Sequence, residues 1–310
     1  STLFAATGDG DHSYRLVVEP YRGLVVNPVY SAGVFRSVDD GANWERIGTP
    51  GTFVCAEALG AQLVRMEVHP EDANTLFVLS ARGGLWRTRN ALAPAEEVRW
   101  ERVLREEEPF ERESGWRGLA FRPEAPHTVY ASGRRIYRSR DGGDNWELLP
   151  GLDLDGLYEQ EYDDGFCEAA RRECPEKYEE LCSEKTTIPR HFKPSIINLA
   201  VSPAAPERLY AYLLAEEDYR KKRLGAGRGP GRCEEFGTLD TRRMLQVWMW
   251  DGETWHLLQD KTEWGMTPSR MAIAASPVEA ENVFYGVVNL SGTGEGTSAE
   301  SLLSGRAFKR

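Results

Sequence analysis

Gly33-Val-Phe-Arg-Ser37-Val-Asp39-Asp-Gly41-Ala-Asn-Trp44 is answered further along the chain by Arg135-Ile-Tyr-Arg-Ser139-Arg-Asp141-Gly-Gly143-Asp-Asn-Trp146. Both hold Ser-x-Asp-x-Gly-x-x-Trp between a short apolar run and a second one, Glu45-Arg-Ile47 or Glu147-Leu-Leu149. That order reads as strand, tight turn, strand. The Ser and Asp side chains can hydrogen-bond the turn's own backbone, and the glycine supplies a positive φ. The tryptophan opens the next strand and is expected to bury a large apolar area. Two degraded copies stand at Gly84-Leu-Trp-Arg87 leading to Trp100, and at Val247-Trp-Met-Trp-Asp251-Gly-Glu-Thr-Trp255.

A second repeat, an apolar run and a proline with an aromatic seven positions later, recurs four times. It reads Val68-His-Pro70 to Phe77, Phe121-Arg-Pro123 to Tyr130, Val201-Ser-Pro203 to Tyr210, and Ala275-Ser-Pro277 to Phe284. Before the prolines stand strand-like runs such as Leu63-Val-Arg-Met-Glu-Val68, and after them runs such as Thr128-Val-Tyr-Ala131. Each unit is therefore two strands around a proline-marked turn, then two strands around the eight-residue turn. Ser1-Thr2-Leu-Phe4-Ala-Ala has the character of a second strand whose first strand is missing.

The 310 residues are 41% hydrophobic and 10% aromatic, with nine Trp, enough for a sizeable core and too much for a disordered chain. A net charge of −11 argues against tracking a nucleic-acid backbone or an anionic membrane surface. The apolar stretch Val283–Leu290 is too short to span a bilayer. Ser1-Thr-Leu-Phe-Ala-Ala has no basic start, so no signal peptide is visible and either one has already been removed or the chain begins inside a longer protein.

The Ser-x-Asp-x-Gly-x-x-Trp turn resembles the Asp-box of the bacterial neuraminidase repeat, shared by sialidases, sortilin-like receptors, xyloglucanases and photosystem assembly factors. Ser37, Asp39, Gly41 and Trp44, and Ser139, Asp141, Gly143 and Trp146, carry the match. The resemblance implies an all-β propeller of four-stranded antiparallel blades, with the Asp-box joining the third and fourth strands of each blade. Three segments stand outside the repeat: residues 8–27, 153–193 and 217–243. The remainder is about five blades at the ~40–45 residues usual for one. Both ends fall partway through a blade. The chain then reads as a single propeller domain, either closed on five blades or partnered by the remaining blades of a six- or seven-bladed ring.

Within residues 153–193 an acidic stretch gives way to Ala, Glu, Arg and Lys without strand alternation, and Pro175 suits a helix start. Two short helices meeting at Cys174 are expected. Asp153 and Asp155, followed by Gly156, partly match a calcium loop but lack its closing Glu, so a solvated acidic loop is the competing reading and no other cofactor is expected. Cys167, Cys174, Cys182 and Cys233 all fall in insertions, which points to disulfides stapling loops in an oxidising, extracytoplasmic setting. Cys167 and Cys174 lie two helical turns apart, about 10 Å, too far to bond without a bend. Cys167–Cys182 with Cys174–Cys233 is the favoured pairing, against a four-cysteine zinc site or free thiols. Cys55, in strand-like sequence, is read as buried and unpaired. The basic, glycine-rich run Arg220–Arg232 reads as a surface loop.

A sialidase's arginine and tyrosine set has no counterpart here. A xyloglucanase-like glycoside hydrolase would need two opposed carboxylates, with Asp9, Asp11, Glu111, Asp163 and Asp164 as loop candidates. The reading favoured is a non-catalytic extracytoplasmic module that binds a protein or glycan at its central face, without inserting into a membrane. Residues at the starts of the innermost strands converge on that face. These are Gln62, Trp116 with Arg117, Ser195, and Ser269 with Arg270. Trp116 has a second reading, as a plug packed between blades.

Overall fold

A computed structural model of the chain describes residues 1–7, 15–19, 23–27, 31–53, 63–81, 83–105, 116–133, 135–150, 157–160, 164–182, 188–220, 239–262, 270–279, 283–288 and 306–307. The fold is all-β. The first sheet joins β1 (Leu3–Ala6), β4 (Val34–Ser37) and β5 (Glu45–Gly48), and a separate hairpin, β2 (Arg15–Glu19) with β3 (Gly23–Asn27), interrupts it in sequence. The second runs β6 (Leu63–His69), β7 (Asp72–Ser80), β8 (Gly84–Thr88), β9 (Glu101–Leu104). The third runs β10 (Gly118–Phe121), β11 (Val129–Ser132), β12 (Ile136–Ser139), β13 (Glu147–Leu148).

After β14 (Leu157–Gln160) come α1 (Asp164–Glu173) and α2 (Pro175–Cys182), the two short helices expected around Cys174. The fourth sheet is β14 followed by β15 (Ile188–Ser202), β16 (Ala205–Arg220), β17 (Leu239–Trp250) and β18 (Trp255–Thr262). The last holds β19 (Arg270–Ala275), β20 (Val283–Val288) and β21 (Arg306–Ala307). Every pairing is antiparallel between strands consecutive in their sheet, as in the blades of a propeller.

The sheets stack face to face, and the core lies between them. Val34 and Ile47 of the first sheet meet Leu63, Leu76 and Val78 of the second. Phe77 and Leu79 meet Trp116, Leu119, Val129 and Ala131 of the third. Tyr130, Ile136 and Leu149 meet Ile197, Leu199, Leu209 and Trp250 of the fourth. Successive residues of one strand thus serve opposite neighbours, Leu76 and Val78 backwards, Phe77 and Leu79 forwards, because strand side chains alternate between faces. That is why the inner strands read as continuous apolar runs: each blade is covered on both sides. The innermost strands β6, β10, β15 and β19 approach one another in order.

The two ends of the stack differ. The proline turns and the eight-residue turns share one end, since His69 pairs Asp72 while Leu76 pairs Thr88. At the opposite end, where inner strands begin, the fourth blade runs on. Its β15 and β16 have 15 and 16 residues against four each in β10 and β11. The stretches 217–220 and 239–243, read from sequence as part of an insertion, continue β16 and β17. The register sets Glu216 and Glu217 opposite Arg243 and Arg242.

Candidate functional site

The two eight-residue turns are built identically. Ser37 Oγ donates to Asp39 Oδ1 at 2.8 Å and accepts from the Gly41 amide at 2.9 Å, while the Asn43 amide donates to Asp39 at 2.8 Å. In the second copy Ser139, Asp141, Gly143 and Asn145 repeat these bonds at 2.8, 2.8 and 2.9 Å. Gly41 and Gly143 take φ of 92° and 91°, which a side chain resists. The Asn43 amide and side chain, with Ser37, hold Asp39 down to about 2. The same set from Asn145 and Ser139 holds Asp141 well below the usual carboxylate range. Both carboxylates are committed to their own turns.

One expectation about these turns is corrected. Trp44 is 45% exposed. It closes the turn by donating its indole N–H to the Gly41 carbonyl at 3.0 Å, as Trp146 does to Gly143 at 3.1 Å. Trp44 is thus a clasp on the surface, whereas Trp146 and Trp100 are partly buried against the core as expected.

The residue before each clasp, unnoticed in the sequence reading, joins blade to blade. Arg36 donates to Glu45 in its own blade and to the carbonyls of Ala91 and Ala93 in the next, the latter at 2.7 Å. Arg87 donates to Glu101, then to Gly142 O and Asp144 of the third blade. Their side chains are 5% and 2% exposed. A buried guanidinium is tolerated because each of its faces finds an acceptor. The signal was present as Arg-Ser, Arg-Thr and Arg-Ser at positions 36, 87 and 138. The reading also missed that Thr88 and Asn90 keep the clasp: Thr88 Oγ1 donates to Asn90 Oδ1 at 3.0 Å, and the Arg99 amide donates to the same oxygen.

At the opposite end, the sequence-predicted binding residues separate. Trp116 is fully buried, its ring 5.7 Å from Tyr137 and its amide donating to Ala81 O at 3.0 Å. It is a wedge between the second and third blades, so the expectation that it meets a ligand is replaced by its alternative. Arg117 beside it is half-buried, its amide donating to Ser132 O. Ser195 does not start a strand: β15 begins at Ile188, and Ser195 falls at a register shift between Pro194 and Ile196. Arg270 opens β19 as expected. Gln62 and Ser269 lie outside the described residues.

Cys167 and Cys182 form a disulfide across α1 and α2. Cys174, buried between the helices against Ala170, is disulfide-bonded as well, to a partner outside the described residues. Cys55 and Cys233 lie there, as do Asp153 and Asp155, the calcium candidates, and Asp9, Asp11, Glu111 and Asp163 of the hydrolase reading; Asp164 opens α1. Among the described residues, no cluster of three metal-ligating side chains occurs, and no helix is long and apolar enough to cross a membrane. Every described carboxylate with a shifted ionisation is lowered, Asp251 included, where the Thr254 and Glu253 amides and then His256 supply the bonds.

No protein-family model matches the chain, and no curated protein matches it in sequence. Solved structures similar to it include an ancestral GH74 enzyme (TM-score 0.38, 10% identity, covering 85% of this chain and 33% of that one). Another is the GH74 xyloglucanase from Xanthomonas campestris (0.35, 18%, 85% and 41%). A third is YCF48 from Cyanidioschyzon merolae (0.25, 12%, 80% and 71%). The chain thus spans about a third to two fifths of the GH74 chains' length.

Proposed function

We propose that this chain is a non-catalytic propeller that binds a partner protein on the face where its inner strands begin. The observation that carries this reading is the lopsided growth of the fourth blade on that face. Strands of 15 and 16 residues outrun their neighbours, and a disulfide-closed helical hairpin is inserted just before them. A blade needs strands only as long as those of the blades it packs against. Surplus ordered length on one face is what a binding surface requires, and Arg117 and Arg270 stand on that same face. A disulfide-bonded insertion suits an extracytoplasmic setting. At the opposite end, the turn aspartates Asp39, Asp141 and Asp251 are held low by their own turns. A glycoside hydrolase acid needs the reverse shift.

The test is site-specific photocrosslinking in the native host, from position 117 on one face and position 89 on the other. A protein captured from 117 and absent from 89, with no hydrolysis of xyloglucan by the purified chain, meets the proposal. Capture from 89 alone, or release of reducing sugar, overturns it.

A further inference from the structure

The eight-residue turns of the first and third blades are built alike but covered differently. A Cβ at Gly143 would stand 2.9 Å from Phe77 and 3.3 Å from Arg87, both of the preceding blade. Among the described residues, a Cβ at Gly41 would meet Leu3 at 3.5 Å and Trp44 at 3.9 Å, both of its own blade. The difference runs across the sheet. Leu3 pairs Ser37 as Leu76 pairs Thr88 and Val129 pairs Ser139. Leu76 and Val129 lie fully buried in the cores shared with the preceding blade, whereas Leu3 in the same place is 40% exposed. Ala5 is half-buried where Val78 and Ala131 are fully buried. Trp44 is exposed where Trp100 and Trp146 pack into those shared cores. The back face of the first blade therefore has the design of a blade junction without its cover.

Charge does not set this face apart from a covered one. Arg46 pairs Phe35 on it, as Arg102 pairs Trp86 on the covered face of the second blade. At the turn, Asp39 is bonded within its own loop and Asp40 lies 2.6 Å from the Ser1 ammonium.

The last blade leaves the matching front face open. Ala274 pairs Phe284 as Ala120 pairs Tyr130 and Ala200 pairs Tyr210. Ala120 packs against the core shared with the following blade and Ala200 is buried, but Ala274 is exposed. Phe284 holds the register position of Phe77, the residue that covers Gly143 in the finished junction. A stack of repeats is kept soluble as a single copy by end repeats that turn a polar face outward, and Leu3, Ala5 and Trp44 are not such a face. We propose that the back face of the first blade docks on the front face of the last blade of a second copy. Junctions within the chain already set a back face on a front face, so the contact continues an interface the molecule contains. The chain's own last blade leaves Leu3, Trp44 and Ala274 exposed, so within one copy the two faces do not cover each other. The contact is head-to-tail and joins copies end to end. It stands independently of the face assigned to a partner protein.

The experiment follows the full chain by sedimentation equilibrium over a wide concentration range. In parallel, chains carrying Leu3→Cys alone are mixed with chains carrying Ala274→Cys alone and oxidised. The counterparts of these positions at one junction, Leu209 and Ala120, belong to a single packed cluster, so the two positions should link. Peptide mapping is expected to find position 3 of one copy joined to position 274 of another. Leu3→Glu should weaken self-association at least about tenfold. Leu257→Glu, at a leucine 45% exposed on the fourth blade, should leave it unchanged. If Leu3→Glu fails to fold, the crosslink decides. A chain that stays monomeric throughout overturns the proposal, as does equal weakening by both glutamates. Self-association without the link between positions 3 and 274 overturns the head-to-tail contact. A chain carrying both cysteines that links within itself gives the face to its own last blade and overturns the second copy.

Discussion

Arg87 and Asp144 sit on adjacent blades and are joined at 2.7 Å, with Arg89 on the same carboxylate oxygen. Arg87 also reaches Gly142 O, and its aliphatic stem lies beside Phe77, whose ring centre is 6.0 Å from the guanidinium carbon. One side chain therefore stitches the second blade to the turn of the third. Arg87→Met keeps the apolar stem and removes the donors. Its loss strands the Gly142 carbonyl while Asp144, largely exposed, returns to water. The expected cost is about 2–4 kcal/mol by denaturant unfolding. Arg89→Met, on an exposed cation, should cost no more than about 0.5 kcal/mol.

These arginines also mark where sequence reading runs out. The Ser-x-Asp-x-Gly-x-x-Trp turn was legible because its contacts are local, within five residues of one another, and local chemistry leaves a fixed spacing. The blade order was legible because a proline turn and an aromatic recur. The arginine stitches were not, since their acceptors are backbone carbonyls such as Ala91 O, which any residue supplies. Burial of Trp116 was undecided for a related reason: which wall it meets depends on how two blades stack, and that is not written in either blade alone. The lengthened strands of the fourth blade were hidden because Glu217–Arg220 reads as a polar loop until Leu239–Arg242 is set opposite it.

Acid should loosen the turns. Asp39 sits at about 2 against an ordinary 3.8, and Asp141 is lowered too. A folded-state value below the unfolded one means that the folded chain binds the proton less readily. The stabilisation is then complete above about pH 4 and is lost as pH falls through about 2. Melting temperature followed from pH 7 to 2 should fall over that window. Asp39→Asn with Asp141→Asn keeps one acceptor for the serine hydroxyl and the backbone amide, and removes the charge together with the acceptor for the Asn43 and Asn145 side-chain amides. The double variant should melt lower at pH 7 and show a flatter acid slope, the two curves converging near pH 2. Parallel curves would place the acid sensitivity elsewhere.

The helical hairpin should answer to redox state as a local unit. Cys167 and Cys182 are 15 residues apart in sequence, and closing a loop of that size restricts the unfolded segment by roughly 3 kcal/mol. The helices bury Ala170 and Cys174 mainly against Cys167, Tyr178 and Cys182, within the hairpin itself. Cys167→Ser with Cys182→Ser should therefore speed tryptic cleavage at Arg171 and Arg172 while leaving the main unfolding transition nearly unmoved. Non-reducing peptide mapping should recover Cys167 linked to Cys182, and Cys174 linked to Cys233.

Gly118 separates a steric demand from a conformational one. A Cβ there would stand 2.6 Å from the Leu199 side chain and 3.1 Å from Ile197 O, both in the fourth blade. Ser132 fills the remaining space, accepting from the Gly118 amide at 3.0 Å and donating to Ile197 O at 2.6 Å. Gly118→Ala must push β10 away from β15 and break that bridge, at a cost of about 1–3 kcal/mol. Gly142 is the contrasting case: nothing stands within 4 Å of its Cβ position, and its φ is 70°. Asp40 holds the same place in the first turn at φ 57°, so the site demands a left-handed backbone and not an empty space. Gly142→Asn, a side chain that tolerates that region, should leave the melting temperature almost unchanged, whereas Gly142→Val should lower it. A Gly118→Ala protein as stable as the native one would mean that the third and fourth blades sit farther apart than these contacts require.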